Sequence, residues 1–234
     1  MEKSSDIYAY IARFISREIL VMLIHPMPGI HLISSQKIKR AIVMLKTIDL
    51  SDPFLKYDNL RNAWSDIGYE FTGILIAQGH IKDTPDTVIL GVPRGGIPLY
   101  DSFCLPKTTH RYLTNSGKYR LKSEPHVQVK GLQGKEVVVL DTLVHSGSTF
   151  DAIVAELSGL GPSMIHLVCA MCSTFGLQDV LSRHSTSGIP LRAYTAQIIE
   201  AEKIVDGRKM LLGVDLGDLA EKAFACKFSQ YSSL

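Results

Sequence analysis

Glu136-Val-Val-Val-Leu-Asp-Thr-Leu-Val-His-Ser-Gly-Ser-Thr149, followed by Phe150–Leu157, is the stretch that decides the fold. Val137–Leu140 is a continuous apolar run ended by Asp141, and Ser148–Leu157 carries its apolar residues at helical spacing. An apolar run without alternation reads as a strand buried on both faces, which belongs to a parallel sheet covered by helices. A strand that ends in an acid and passes through small hydroxylic residues into a helix collects anions. Uncommitted N–H groups and the positive end of the helix converge there, Gly147 permits close approach, and Ser146, Ser148 and Thr149 add hydroxyl donors. On this reading a branched side chain at Gly147 would block the ligand and leave the fold intact. Asp141, at the carboxyl end of the strand, is placed to accept hydrogen bonds from sugar hydroxyls. Read locally, the pattern also suits a plain helix cap at Ser148 or Thr149. A Walker loop is excluded, because no Gly-Lys-Ser/Thr is present.

Working outward, Val88–Leu90, ended by Gly91, Ile165–Ala170 and a weaker Leu191–Tyr194 repeat the short apolar run, and Gly176–Arg183 adds a helix. The chain is therefore α/β, with a parallel sheet flanked by helices. Helical periodicity also marks residues 6–24 and 59–78, and Ile33–Leu45 reads as helical. Residues 106–136 are polar and basic without period, the composition of a mobile loop or small hairpin. Directly after the strand Val88–Leu90 comes Gly91-Val-Pro-Arg-Gly-Gly-Ile-Pro-Leu99. Arg94 beside Gly95 and Gly96 combines a charged fork with exposed backbone donors, which suits a diphosphate. Taken alone it suits a surface turn with a solvated Arg equally well.

Composition narrows the function. With 234 residues, 46% apolar, the chain can bury a substantial core. Twenty-five Lys and Arg against 23 Asp and Glu give a charge of +2, which argues against a nucleic-acid partner. Four cysteines are too few for a disulfide scaffold, and a cytoplasmic location is expected. The apolar stretch from Ile19 towards Gln36 is broken by His25, Pro26, Pro28 and Gly29, so no membrane segment is expected. Cys169-Ala-Met-Cys172 has redox or zinc spacing but lies in an apolar run without a second pair, and reads as two structural thiols.

These motifs resemble those of the type I phosphoribosyltransferases. The strand, the acid and Ser146-Gly-Ser-Thr149 look like that family's phosphoribosyl-pyrophosphate loop, and a single acid at this place, Asp141-Thr142, is closest to the uracil branch. Arg94-Gly95 resembles that branch's pyrophosphate loop. Near the C-terminus, Leu211-Leu-Gly-Val-Asp-Leu-Gly-Asp-Leu219 resembles its uracil-binding segment, with Val214-Asp215 replacing Pro-Gly. The resemblance implies one domain over 1–234: N-terminal helices over 1–80, a core over about 85–190, and a base-binding hood over about 191–234 formed with the terminal segments. It implies transfer of phosphoribose from 5-phosphoribosyl 1-pyrophosphate to uracil, giving UMP and pyrophosphate with Mg²⁺, in a homodimer or higher homo-oligomer. Arg94, Gly95, Arg111, Asp141, Val144, His145, Ser146, Gly147, Ser148 and Thr149 would hold the phosphoribosyl pyrophosphate, with Arg94, Arg111 and Asp141 catalytic. Leu212, Gly217, Asp218 and Leu219 would read uracil, largely through backbone groups. A phosphoribosyltransferase for another base, or a relative that binds uracil or nucleotide without turnover, would carry the same pattern.

Overall fold

The computed structural model describes residues 29–47, 53–93, 96–115, 125–127, 129–199, 202–205 and 208–211. The helix expected over 6–24 lies outside them, as do Arg94, Gly95, Leu212, Gly217, Asp218 and Leu219. The elements are β1 (Ile30–Leu32), α1 (Gln36–Thr47), α2 (Pro53–Ala77), β2 (Thr87–Gly91), α3 (Ile97–Tyr100), β3 (Thr109–Tyr112), β4 (Thr114–Asn115), β5 (Pro125–His126), β6 (Glu136–Val144), α4 (Ser148–Ser158), β7 (Met164–Ser173), α5 (Thr174–Arg183), β8 (Leu191–Ile199), β9 (Glu202–Val205) and β10 (Arg208–Leu211).

Six strands form one sheet in the order β1-β8-β7-β6-β2-β3, and every neighbouring pair is parallel. Alternation along each strand divides its side chains between two cores. Ile89, Val138, Leu140, Val168 and Tyr194 face a cluster built with Ile38 and Leu45 of α1, Leu60, Trp64, Ile67 and Phe71 of α2, and Leu99 of α3. Val88, Leu90, Val137, Val139, Ile165, Leu167 and Cys169 face the opposite cluster, with Phe150, Ile153, Val154 and Leu157 of α4 and Leu177 and Val180 of α5. β2 is buried at all five positions, as the uninterrupted apolar runs require. The sheet is thus covered on both faces, the α/β architecture expected.

Three expectations need correcting. Ile33–Leu45 is not helical throughout: Ile30–Leu32 is an edge strand paired with β8, and the helix starts at Gln36, behind Ser35, whose Oγ accepts from the Ile38 amide at 3.1 Å. Residues 106–136 are not all loop, because Thr109–Tyr112 joins β2 as the other edge of the sheet. The small hairpin expected there corresponds to the antiparallel pair β4–β5, Thr114 opposite His126. Third, the central strand does not stop at Asp141 but continues to Val144. Among the described residues no helix is long and apolar enough to cross a membrane.

Candidate functional site

β2 and β6 lie side by side, yet β2 is followed by β3 on one side of the pair while β6 is followed by β7 on the other. Neighbouring strands whose connections diverge leave a crevice at their carboxyl ends, the place where open α/β sheets take ligands. Residues 92–93 and 145–147 leave the sheet there, and the Val92 amide donates to the carbonyl of Leu140 at 3.0 Å. A cavity of about 150 Å³ is lined by Asp141 and by Leu143 to Phe150. The structure therefore brings together Asp141, Val144, His145, Ser146, Gly147, Ser148 and Thr149.

Gly147 is the N-cap of α4. With φ of +76° it has no side chain to satisfy the first turn, and neither Ser148 nor Thr149 is the cap. The Ser148 amide meets only Ser146 Oγ at 3.4 Å, and the amides of Thr149 and Phe150 have no acceptor among the described residues. The first N–H groups of an 11-residue helix thus open onto the cavity with the positive end of its dipole. The hydroxyls of Ser146 and Ser148 stand 3.0 Å apart at the rim, and both residues are exposed. The first-turn acid, Asp151, is drawn away from this opening by Arg183 at 2.7 Å, the last residue of α5, and by its C-cap His184 at 2.9 Å.

Asp141 is buried at the cavity wall without an ion-pair partner among the described residues. Its Oδ1 accepts from the Thr142 amide at 2.7 Å. Burial pushes its carboxyl up to about 7, against the opposing pull of the Thr142 and Leu143 amides. Near neutral pH the group is shared between two protonation states, so it can both accept from and donate to a sugar hydroxyl. The partial neutralisation also limits its repulsion of a phosphate in the same cavity.

The loop does not shape itself. Ser173, wholly buried at the end of β7, caps α5 by accepting from the Gly176 amide at 2.9 Å, and the same oxygen donates to the carbonyl of His145. A Cβ on Gly147 would collide with the carbonyl oxygen of Gly176, and one on Gly176 would collide with that of His145. This corrects the expectation that a side chain at 147 leaves the fold intact: the position is glycine because the loop packs backbone to backbone on α5. Ser173 and Gly176 escape a reading of the sequence as contributors. Ser173-Thr-Phe-Gly176 announces a helix start, but nothing local shows what lies against it.

Arg111 stands on β3, opposite Leu90 in register, and its Nη1 donates to the carbonyl of His110 at 2.8 Å. Two strand spacings, about 10 Å, separate β3 from β6, and Arg111 is not among the residues lining the cavity. Where residue 127 returns from the hairpin, its amide donates to Glu156 Oε2 of α4 at 2.6 Å. Cys169 and Cys172 are free, buried thiols, and burial together with the Cys172 contact pushes the Cys169 thiol well up. No group of three His, Cys, Asp or Glu among the described residues could hold a metal ion.

No family model matches the chain. It is 23% identical over 218 residues to the uracil phosphoribosyltransferase of Rhodococcus opacus strain B4, covering 86% of this chain and 100% of that protein. It is 26% identical over 161 residues to the uracil phosphoribosyltransferase of Dictyoglomus thermophilum, covering 67% of this chain and 74% of that one. Among solved structures, the AQ2163 protein from Aquifex aeolicus superposes with a TM-score of 0.67 at 16% identity, over 85% of this chain and 99% of that chain. That likeness shows the fold. The curated relatives carry the name of the branch that the sequence motifs resemble.

Proposed function

We propose that this chain is a phosphoribosyltransferase that joins uracil to the ribose of 5-phosphoribosyl 1-pyrophosphate, releasing pyrophosphate and forming UMP. The observation that carries the reading is the uncapped start of α4, opened by Gly147 beside the buried carboxyl of Asp141. A phosphate fits the former and ribose hydroxyls fit the latter. The choice of uracil is supported by the curated relatives and by the segment around Leu212, Gly217, Asp218 and Leu219.

In this reading the amides and hydroxyls of residues 144–149 hold the 5′-phosphate. Asp141 orients the ribose. N1 of uracil bonds to the anomeric carbon as the carbon–oxygen bond to pyrophosphate breaks; pyrophosphate leaves with the electron pair and the N1 proton passes to solvent. No protein nucleophile is needed, and the rate comes from positioning and from charge stabilisation on the departing diphosphate. Arg94, Gly95 and Arg111 are assigned to that diphosphate. Mg²⁺ commonly binds through one or two carboxylates plus substrate phosphates, and a lone Asp141 at the cavity wall fits a cation brought in on the diphosphate. When bound it would neutralise leaving-group charge.

Asp215, where the resemblance leads one to expect Gly, favours a second reading: a relative that binds uracil or nucleotide without turnover. Pyrophosphate release measured with Mg²⁺, phosphoribosyl pyrophosphate and each common nucleobase separates the two. Release with uracil alone supports the proposal, release with another base reassigns the acceptor, and no release with any base overturns it.

A further inference from the structure

We infer that Ser173 is a positioning residue for phosphate recognition, whose hydroxyl sets the direction in which the 145–147 loop presents its amides. The inference rests on the reading of residues 144–149 as a phosphate cradle. A Ser hydroxyl has one proton to donate. Because the Ser173 oxygen accepts from the Gly176 amide, that proton is committed to the carbonyl of His145. A peptide unit is planar and trans, so its carbonyl oxygen and its N–H point to opposite sides. Drawing the His145 carbonyl towards α5 therefore turns the Ser146 N–H away from α5. His145 and Ser146 both line the cavity, and the direction of that amide donor is fixed from behind by a side chain that does not line it.

The glycines set the distance over which this works. Gly147 and Gly176 let the loop and the first turn of α5 touch through their backbones, and a Cβ on either would push them apart. With the hydroxyl removed, the part-buried His145 carbonyl loses its donor. A carbonyl shielded from water and left unpaired is costly, and rotating the 145–146 peptide to find another partner moves the Ser146 N–H out of line. A serine that only capped α5 would have no such effect: its loss would lower stability and nothing else.

The test uses ribose 5-phosphate, which carries the phosphate and the sugar hydroxyls without the diphosphate, and reads Kd by calorimetry beside Tm. Wild type binds; Ser173→Ala binds about tenfold more weakly, the size of one lost hydrogen bond; Ser173→Thr stays within about twofold of wild type because it keeps the hydroxyl. Glycine is well tolerated at an N-cap, so Ser173→Gly preserves the start of α5 and shows the same weakening as Ser173→Ala. Ile165→Val, a buried change at the far end of β7, lowers Tm and leaves Kd unchanged. Wild-type affinity in both Ser173→Ala and Ser173→Gly overturns the positioning role while leaving the cradle standing. Failure of wild type to bind ribose 5-phosphate overturns the cradle and this inference with it.

Discussion

Gly147 lies so close to Gly176 that a Cβ at 147 would strike the Gly176 carbonyl oxygen and approach Cγ2 of Val180 to 2.8 Å. Two elements far apart in the chain therefore meet with no side chain between them. Gly79 has a similar φ, +68°, with open space around it. Gly79→Ala is expected to cost about 1 kcal/mol, the strain of a left-handed alanine, whereas Gly147→Ala adds the collision and is expected to cost about 3 kcal/mol. Denaturant unfolding of both variants checks this, and equal losses would remove the close packing from the account.

On the proposed function, Asp141 makes stability and ligand binding pull in opposite directions. Its folded pKa of about 7 lies above the ordinary 3.8, so the folded state holds a proton that the unfolded chain has released. Its contribution to stability falls as pH rises from 3.8 and levels off above 7. Asp141→Asn removes the penalty: relative to wild type it should gain about 3 kcal/mol more at pH 8 than at pH 4.5, while ribose 5-phosphate binding weakens. A stability difference that does not change with pH would contradict a buried, protonated carboxyl.

His166 titrates with the opposite sign. It is wholly buried, neither ring nitrogen has a hydrogen-bond partner, and Glu136 Oε2 stands off at 3.9 Å. Burial, with Arg192 and His80 nearby, lowers its pKa from 6.5 to about 4. The unfolded chain takes up the proton first, so stability is lost as pH falls from 6.5 and levels off below 4. His166→Leu abolishes this. The gap between variant and wild type should shift in the variant's favour by about 2 kcal/mol between pH 7.5 and pH 5, read as paired unfolding curves.

On the proposed function, Arg94→Ala should weaken phosphoribosyl pyrophosphate far more than UMP, since only the former carries a diphosphate. An Arg–phosphate contact is worth about 1.5–3 kcal/mol, so a loss of roughly tenfold to a hundredfold is expected for the first ligand. Equal losses for both ligands in calorimetric titrations would take Arg94 out of that role.

What could be read from the sequence depended on how each element earns its stability. β2, β6 and β7 are buried on both faces, and burial writes itself into composition as an apolar run. β1 and β3 are short edge strands of mixed polarity, Ile-His-Leu and Thr-His-Arg-Tyr, held by the ladder of a neighbour rather than by their own side chains. Nothing in their residues distinguishes them from loop. Asp141 looks like the end of a strand because it is an acid after an apolar run; the strand continues because the ladder with β7 resumes beyond it, Leu143 opposite Met171 and Val144 opposite Cys172. The loop at residues 145–147 and the open start of α4 were legible because hydroxylic residues, a glycine and a helix start are neighbours in sequence. Its support by Ser173 and Gly176 was not, because that contact spans about 30 residues of chain and a turn of helix that carries no distinguishing composition.

The pairing of β1 with β8 has a consequence for biosynthesis. Ile30 lies beside Ala193, about 160 residues later and so roughly 8–30 s later at ~5–20 residues per second on the ribosome. Once α2 ends at Ala77, α1 and α2 are complete while β6, β7 and β8, whose Val138, Leu140, Val168 and Tyr194 close over Trp64 and Phe71, are still to be made. The nascent chain carries this apolar surface without its sheet partners until late in synthesis, the aggregation-prone condition that chaperones exist to relieve.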